Sequence, residues 1–192
     1  MNKQFISANE LLLDSFRLAE LIYQRGFHPN FIVGVWRGGA PVGIAVQEYL
    51  EFMGVPSDHI AIRTASYYGI GEQHKEVKVF GLNYLIDRVT PDQSLLIVDD
   101  VFDSGRSLQA IIDQIHLKAG SNAPDIIKTA CPWYKPSRNV TNRTPDFYVH
   151  ATDNWLVFPH ELKGLELDEI IAGKGSEIGD ILYRAMQQRS PA

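Results

Sequence analysis

Cysteine is almost missing from this chain. Cys131 stands alone, so no internal disulfide can form and a cysteine-based zinc site is nearly excluded, which suits a reducing compartment. Long apolar runs are missing too. No stretch approaches the roughly 20 residues needed to span a bilayer, and Met1 to Ile6 lacks the uninterrupted apolar segment of a secretion signal. A cytoplasmic protein with no membrane partner is the expectation. Positive charge is not in excess: 18 Lys and Arg face 23 Asp and Glu, a formal net charge of -5, which argues against nucleic acid as a partner. A small polyanion remains compatible, provided that a local site of backbone N–H groups, a few basic side chains and a metal ion receives it. Repeats, low-complexity tracts and linker-like Pro/Gly/Ser stretches are absent. At 192 residues the chain reads as a single domain, with a core over about 28–165, an N-terminal helix within 1–27 and a helical tail over 166–192.

What is present is an alternation of apolar strands and amphipathic helices. Ser7-Ala8-Asn9-Glu10 has capping-box spacing, and Leu11, Leu12, Phe16, Leu18, Leu21 and Ile22 follow at helical intervals, with Gly26 as the stop. Residues 31–36 form a short apolar run broken by Arg37-Gly38-Gly39, and 41–53 reads as a helix with Pro41 in its first turn. Strands are expected at 59–65, 77–80, 94–98, 126–131, 147–149 and 155–158, and a helix at 104–118. The tail, 167–188, reads as helical with an interruption at Gly173-Lys174-Gly175. That glycine-rich stretch is a helix break rather than a phosphate loop, because no strand feeds it. Alternation of this kind implies an α/β fold with a mainly parallel central sheet flanked by helices, and ligands beyond the carboxyl ends of its strands.

The most informative segment is Leu95-Leu96-Ile97-Val98-Asp99-Asp100-Val101-Phe102-Asp103-Ser104-Gly105-Arg106-Ser107. A buried strand ends in two adjacent carboxylates that cannot both stay in a dry core, so they emerge at its carboxyl edge. Residues 103–107 then open a helix, where unpaired N–H groups and the helix dipole favour an anion. Ser104 and Ser107 add hydroxyl donors, and Gly105 lets the backbone close around a phosphate. Oxygen acceptors beside such a cup suit sugar hydroxyls and Mg²⁺. A simple helix cap needs one acidic or hydroxyl residue; here three acids and two hydroxyls surround a glycine.

This segment resembles the phosphoribosyl-pyrophosphate motif of type I phosphoribosyltransferases. The resemblance implies that family's fold, with a small hood built from terminal segments. It also implies that Asp99 and Asp100 hold the ribose hydroxyls and Mg²⁺, while residues 103–107, Arg106 among them, hold the 5-phosphate. Gly34 to Gly39 is similar to the family's pyrophosphate loop, with Arg37 and Gly38 as binding residues and a non-proline cis peptide expected between them. Ser66-Tyr67 looks like the opening of a mobile lid over 68–76. Lys135 matches the lysine that meets the purine 6-oxo group in hypoxanthine, guanine and xanthine phosphoribosyltransferases, and residues 155–161 resemble that subfamily's base-binding segment. There Trp155 would stack on the base, Leu156 would offer backbone groups to it and Glu161 would approach the metal. Val157 and His160 depart from the subfamily's usual residues.

The implied activity is pentosyl transfer from phosphoribosyl pyrophosphate to hypoxanthine, guanine or xanthine, giving a nucleoside 5'-monophosphate and pyrophosphate in purine salvage. Asp103 is the candidate for proton exchange at purine N7. The resemblance also implies a homo-oligomer, dimer or tetramer. The alternative is a regulator that binds the sugar pyrophosphate without catalysis. The short, non-basic segment before the first strand argues against that alternative.

Overall fold

The computed structural model describes residues 3–68 and 75–188. In chain order its elements are β1 (Lys3–Phe5), α1 (Ala8–Gln24), β2 (Phe31–Trp36), α2 (Gly39–Phe52), β3 (Asp58–Tyr68), β4 (Lys75–Phe80), α3 (Asn83–Ile86) and β5 (Ser94–Val98). There follow β6 (Val101–Phe102), α4 (Arg106–Ala119), β7 (Ile126–Tyr134), β8 (Phe147–Ala151), β9 (Trp155–Val157), α5 (Leu167–Lys174) and α6 (Ser176–Gln187). No helix among the described residues is long and apolar enough to cross a membrane.

The chain divides into two compact units, one made of residues 12–153 and the other of 1–11 with 154–192. In the larger unit a seven-stranded sheet runs β4-β3-β2-β5-β7-β6, with β8 also paired to β7. All pairings are parallel except the β3–β4 hairpin. The alternation along β2 explains its layering. Phe31, Val33 and Val35 join a core with Ile97 of β5 and with Leu108, Ile111, Ile112 and Ile115 of α4. Ile32, Gly34 and Trp36 turn the other way and line a groove with α2.

Several boundaries differ from those the sequence predicts. The helix expected from 104 begins at Arg106, because Gly105 adopts φ 77° and leaves Ser104 and Gly105 in the preceding loop. β7 runs three residues further than 131, carrying Pro132, Trp133 and Tyr134 into the sheet, where Trp133 and Tyr134 pair with both β6 and β8. β1, α3 and β6 are too short to stand out in the sequence pattern.

The smaller unit joins β1 and β9 as a parallel pair in the register Lys3↔Trp155, Gln4↔Leu156, Phe5↔Val157. The N-terminal strand thus pairs with the strand that leads toward the tail. The capping box at the start of α1 forms as spaced: the Ser7 N–H donates to Glu10 Oε2 at 2.7 Å and the Glu10 N–H to Ser7 Oγ at 3.1 Å. The helical tail breaks at Gly175, φ 96°.

Candidate active site

Parallel pairing brings the site together. β2, β5 and β7 are hydrogen-bonded neighbours running the same way, so the residues after their last positions leave the sheet along one edge. Those residues are Arg37 and Gly38 after β2, Asp99 and Asp100 after β5, and Lys135 after β7. The crossover from β2 goes outward to β3, whereas that from β5 goes the opposite way to β7. The edge between β2 and β5 is therefore the switch point of an open parallel sheet, where such folds bind ligands.

The loop after β2 lies hard against the acidic pair. A Cβ on Gly38 would overlap the Asp100 carboxylate, and one on Gly39 would overlap the Val98 carbonyl oxygen and come 2.8 Å from Asp99 Cα. Only glycine permits this approach. The cis peptide lies between Trp36 and Arg37, one bond earlier than the resemblance implies. Arg37 itself is exposed.

Asp99 continues the β5 ladder, its N–H donating to the Ala130 carbonyl at 3.1 Å, and its Oδ1 accepts from the Asp100 N–H at 3.0 Å. Withdrawal from water, and then the neighbouring Asp100 carboxylate, push the Asp99 carboxyl well above the usual aspartate range, although backbone N–H groups of Asp100 and Gly39 pull the other way. Two crowded carboxylates are a hard-oxygen donor set whose repulsion a divalent cation would relieve, so these residues fit Mg²⁺. No group of three or more His, Cys, Asp or Glu side chains able to hold a metal gathers among the described residues.

The expected phosphate loop leaves the start of α4 without a side-chain cap among the described residues: Gly105 is the N-cap, in the left-handed conformation. A cavity of about 70 Å³ is lined by Asp99, Asp103, Ser104, Gly105 and Ser107 together with Val101, Phe102 and Leu108. Arg106 is exposed at the first position of the helix.

Asp103 has two cationic neighbours. Lys135, 7% exposed, brings Nζ to 3.5 Å from Asp103 Oδ2, and Arg138 Nε donates to Oδ1 at 2.7 Å. The Lys135 N–H also donates to the Phe102 carbonyl at 3.0 Å, which ties the loop after β7 to the segment that leads into α4. Arg138 was not legible in the sequence. A short 3₁₀ turn, Pro136–Arg138, carries it back toward Asp103, and its only local signal is the proline that follows Lys135.

Ser66 and Tyr67 lie within the β3–β4 hairpin, opposite Val77 and Glu76. Residues 69–74 of the expected lid, and the side chains of 66–76, lie outside the described residues.

The expected base-binding segment belongs to the smaller unit. Trp155 opens β9 half exposed, whereas Leu156 is buried. Glu161 folds back on its own turn, Oε2 accepting the Phe158 N–H at 3.1 Å. His160, a departure from the residue the resemblance leads one to expect, stacks on Phe158, centroids 5.7 Å apart and planes 5° from parallel.

Known proteins share this architecture. The sequence profile of the phosphoribosyl transferase domain family matches residues 3–167. No curated protein matches the sequence. A purine phosphoribosyltransferase from Pyrococcus horikoshii Ot3 superposes with a TM-score of 0.68 at 27% identity, over 86% of this chain and 99% of that one. A hypothetical protein from Neisseria gonorrhoeae with bound ppGpp gives 0.71 at 22% identity, over 93% and 97% of the two chains. The Helicobacter pylori xanthine-guanine-hypoxanthine phosphoribosyltransferase gives 0.64 at 20%, over 82% and 92%. The last two, at such low identity, speak for the fold alone.

Proposed function

Because the chain belongs to the phosphoribosyl transferase domain family, we propose that it moves the 5-phosphoribosyl group of phosphoribosyl pyrophosphate onto a 6-oxopurine, releasing pyrophosphate. The observation that carries this reading is the side-by-side exit of Arg37, the Asp99–Asp100 pair and Lys135 from neighbouring parallel strands, beside the Asp103–Ser107 phosphate loop.

In this reading the 5-phosphate sits on the N–H groups at the start of α4, with the hydroxyls of Ser104 and Ser107 as further donors and Arg106 as a countercharge. Asp99 and Asp100 accept the ribose hydroxyls and would hold Mg²⁺. When bound, the ion neutralises charge on the pyrophosphate. Arg37 and the Gly38 N–H stabilise that leaving group as the sugar gains positive charge. Trp155 stacks on the base and Leu156 offers it backbone groups, which orients its attacking nitrogen. Lys135 donates to the 6-oxo oxygen. Adenine, whose 6-amino group cannot accept that proton, would forgo this hydrogen bond and is rejected. Asp103 exchanges the proton at N7. Ser66 and Tyr67 open the lid that excludes water from the reacting carbon.

The test is nucleotide formation from phosphoribosyl pyrophosphate and Mg²⁺ with hypoxanthine, guanine, xanthine and adenine assayed in parallel. Turnover of 6-oxopurines with adenine silent is the expected result. Sugar pyrophosphate binding without turnover of any base would overturn it.

A further inference from the structure

The helical tail has no role in the reading above, yet it holds the segment that would bind the base. Lys174, the last residue of α5, donates from Nζ to the Phe158 carbonyl at 2.6 Å and to the Pro159 carbonyl at 3.3 Å. Those carbonyls follow β9 directly, two and three residues after Leu156. From the opposite side of the same turn, Glu161 takes the Phe158 N–H. The turn is thus gripped at both its donor and its acceptor by two side chains of opposite charge.

α5 is itself anchored to the strand that sets β9's register. Lys3 of β1 forms an ion pair with Glu169 at 2.6 Å, and Glu169 also closes the capping box at the start of α5. Gly173 sits on the Phe5 ring so closely that any Cβ would overlap it. Since β1 pairs with β9 residue for residue, the path β9, turn, Lys174, α5, β1, β9 is a closed loop of contacts. Trp155 and Leu156 lie on it and the sugar-phosphate residues do not.

We propose that Lys174 is a positioning residue for the base-binding segment: by tying the Phe158 and Pro159 carbonyls to α5, it fixes the stacking face and backbone groups at 155–156. The inference rests on the proposed assignment of that segment to the base. It accounts for Gly173-Lys174-Gly175 without a phosphate: the glycines give close packing and a helix end, and the lysine faces inward to carbonyls.

Full-length K174M, K174Q and K174R are compared with the wild type in steady-state kinetics and in hydrogen exchange without ligand. Hydrogen bonds from a charged donor are each worth enough to make the loss about tenfold to a hundredfold. That loss should appear as a raised KM for the base in K174M and K174Q, with KM for phosphoribosyl pyrophosphate and kcat within about twofold. K174R, which keeps a charged donor, should recover most of the base KM. Amides at 155–161 should exchange faster in K174M and K174Q, and those of 12–153 should not. If K174M does not fold, K174Q, which retains a polar head, carries the comparison. An active wild type whose folded variants keep the base KM, lose both substrates' KM alike, or show no change in exchange at 155–161 overturns the inference alone. A wild type that turns over no base overturns the underlying reading and this inference with it.

Discussion

Asp103 is where single-residue chemistry is most exposed to test. Its two oxygens meet Lys135 and Arg138, so an amide at this position keeps the shape and one acceptor but gives up the negative charge and the ability to take a proton. We expect Asp103→Asn to lower kcat by about 10²–10⁴-fold, the usual worth of a positioned acid–base group, while sugar-phosphate binding persists. Single-turnover and equilibrium-binding measurements together check this; an unchanged kcat would remove Asp103 from the chemistry. The residues of this site were legible where chemistry is encoded in a contiguous string. Asp99 to Ser107 marked out the passage from a strand's carboxyl end to a helix start, because charge, hydroxyls and glycine succeed one another after a buried strand. Arg138 was not legible: a surface arginine has no local mark of its partner, and its contact depends on a turn that only the folded chain displays. The cis bond before Arg37 rather than after it is a similar case, since the residues around it are alike on both sides.

Individual elements followed local rules well. The first helix begins where Ser7 and Glu10 predict it, and the last one breaks where Gly175 predicts it. The capping box makes a prediction with a definite sign. Hydrogen bonds from Ser7, first from its side chain and then from its backbone, hold the Glu10 carboxyl below its ordinary value of 4.5. A lowered folded-state value contributes stability that is present in full above 4.5 and lost as pH falls through the folded-state value. Glu10→Gln, which keeps a cap but no charge, should therefore be less stable than the wild type at neutral pH, and the gap should close in acid. Thermal melting of both proteins between pH 3 and 7 on the order of one-unit steps resolves it. β1, α3 and β6, of two to four residues each, escaped the sequence because no periodicity develops over such lengths. The extra residues of β7 escaped for another reason: Pro132 and the aromatics after it read as a strand's end, yet β6 and β8 supply pairing partners that the local sequence cannot reveal.

For the molecule as a whole, charge is unevenly arranged. A net charge of -5 coexists with Arg37, Arg106, Lys135 and Arg138 gathered beyond the carboxyl ends of the sheet and at the start of α4. Set beside Asp99, Asp100 and Asp103, these basic side chains still offer a polyanion countercharge, an attraction screened over about 10 Å at 0.1 M salt. Raising ionic strength should therefore raise KM for phosphoribosyl pyrophosphate and leave KM for a neutral purine nearly unchanged. Initial-rate measurements in a chloride series check this, and parallel changes in both constants would argue for a general loss of structure instead. Strand order is a property of the whole chain too. That β2, β5 and β7 lie side by side, although α2, the β3–β4 hairpin and α4 intervene in sequence, could be anticipated as a parallel sheet but not in its particular order.

The contact of Gly38 and Gly39 with the acidic pair has a consequence for how freely this sequence can drift. Gly38 is hemmed in by the end of a side chain, Gly39 by backbone. The first conflict is negotiable and the second is not. In a paired mutational scan read by folding yield, Gly38→Ala should be tolerated once Asp100 is shortened to Ala, whereas no single partner should restore Gly39→Ala. Two adjacent, identical letters thus carry different histories: one open to compensation by a second change, the other closed to it.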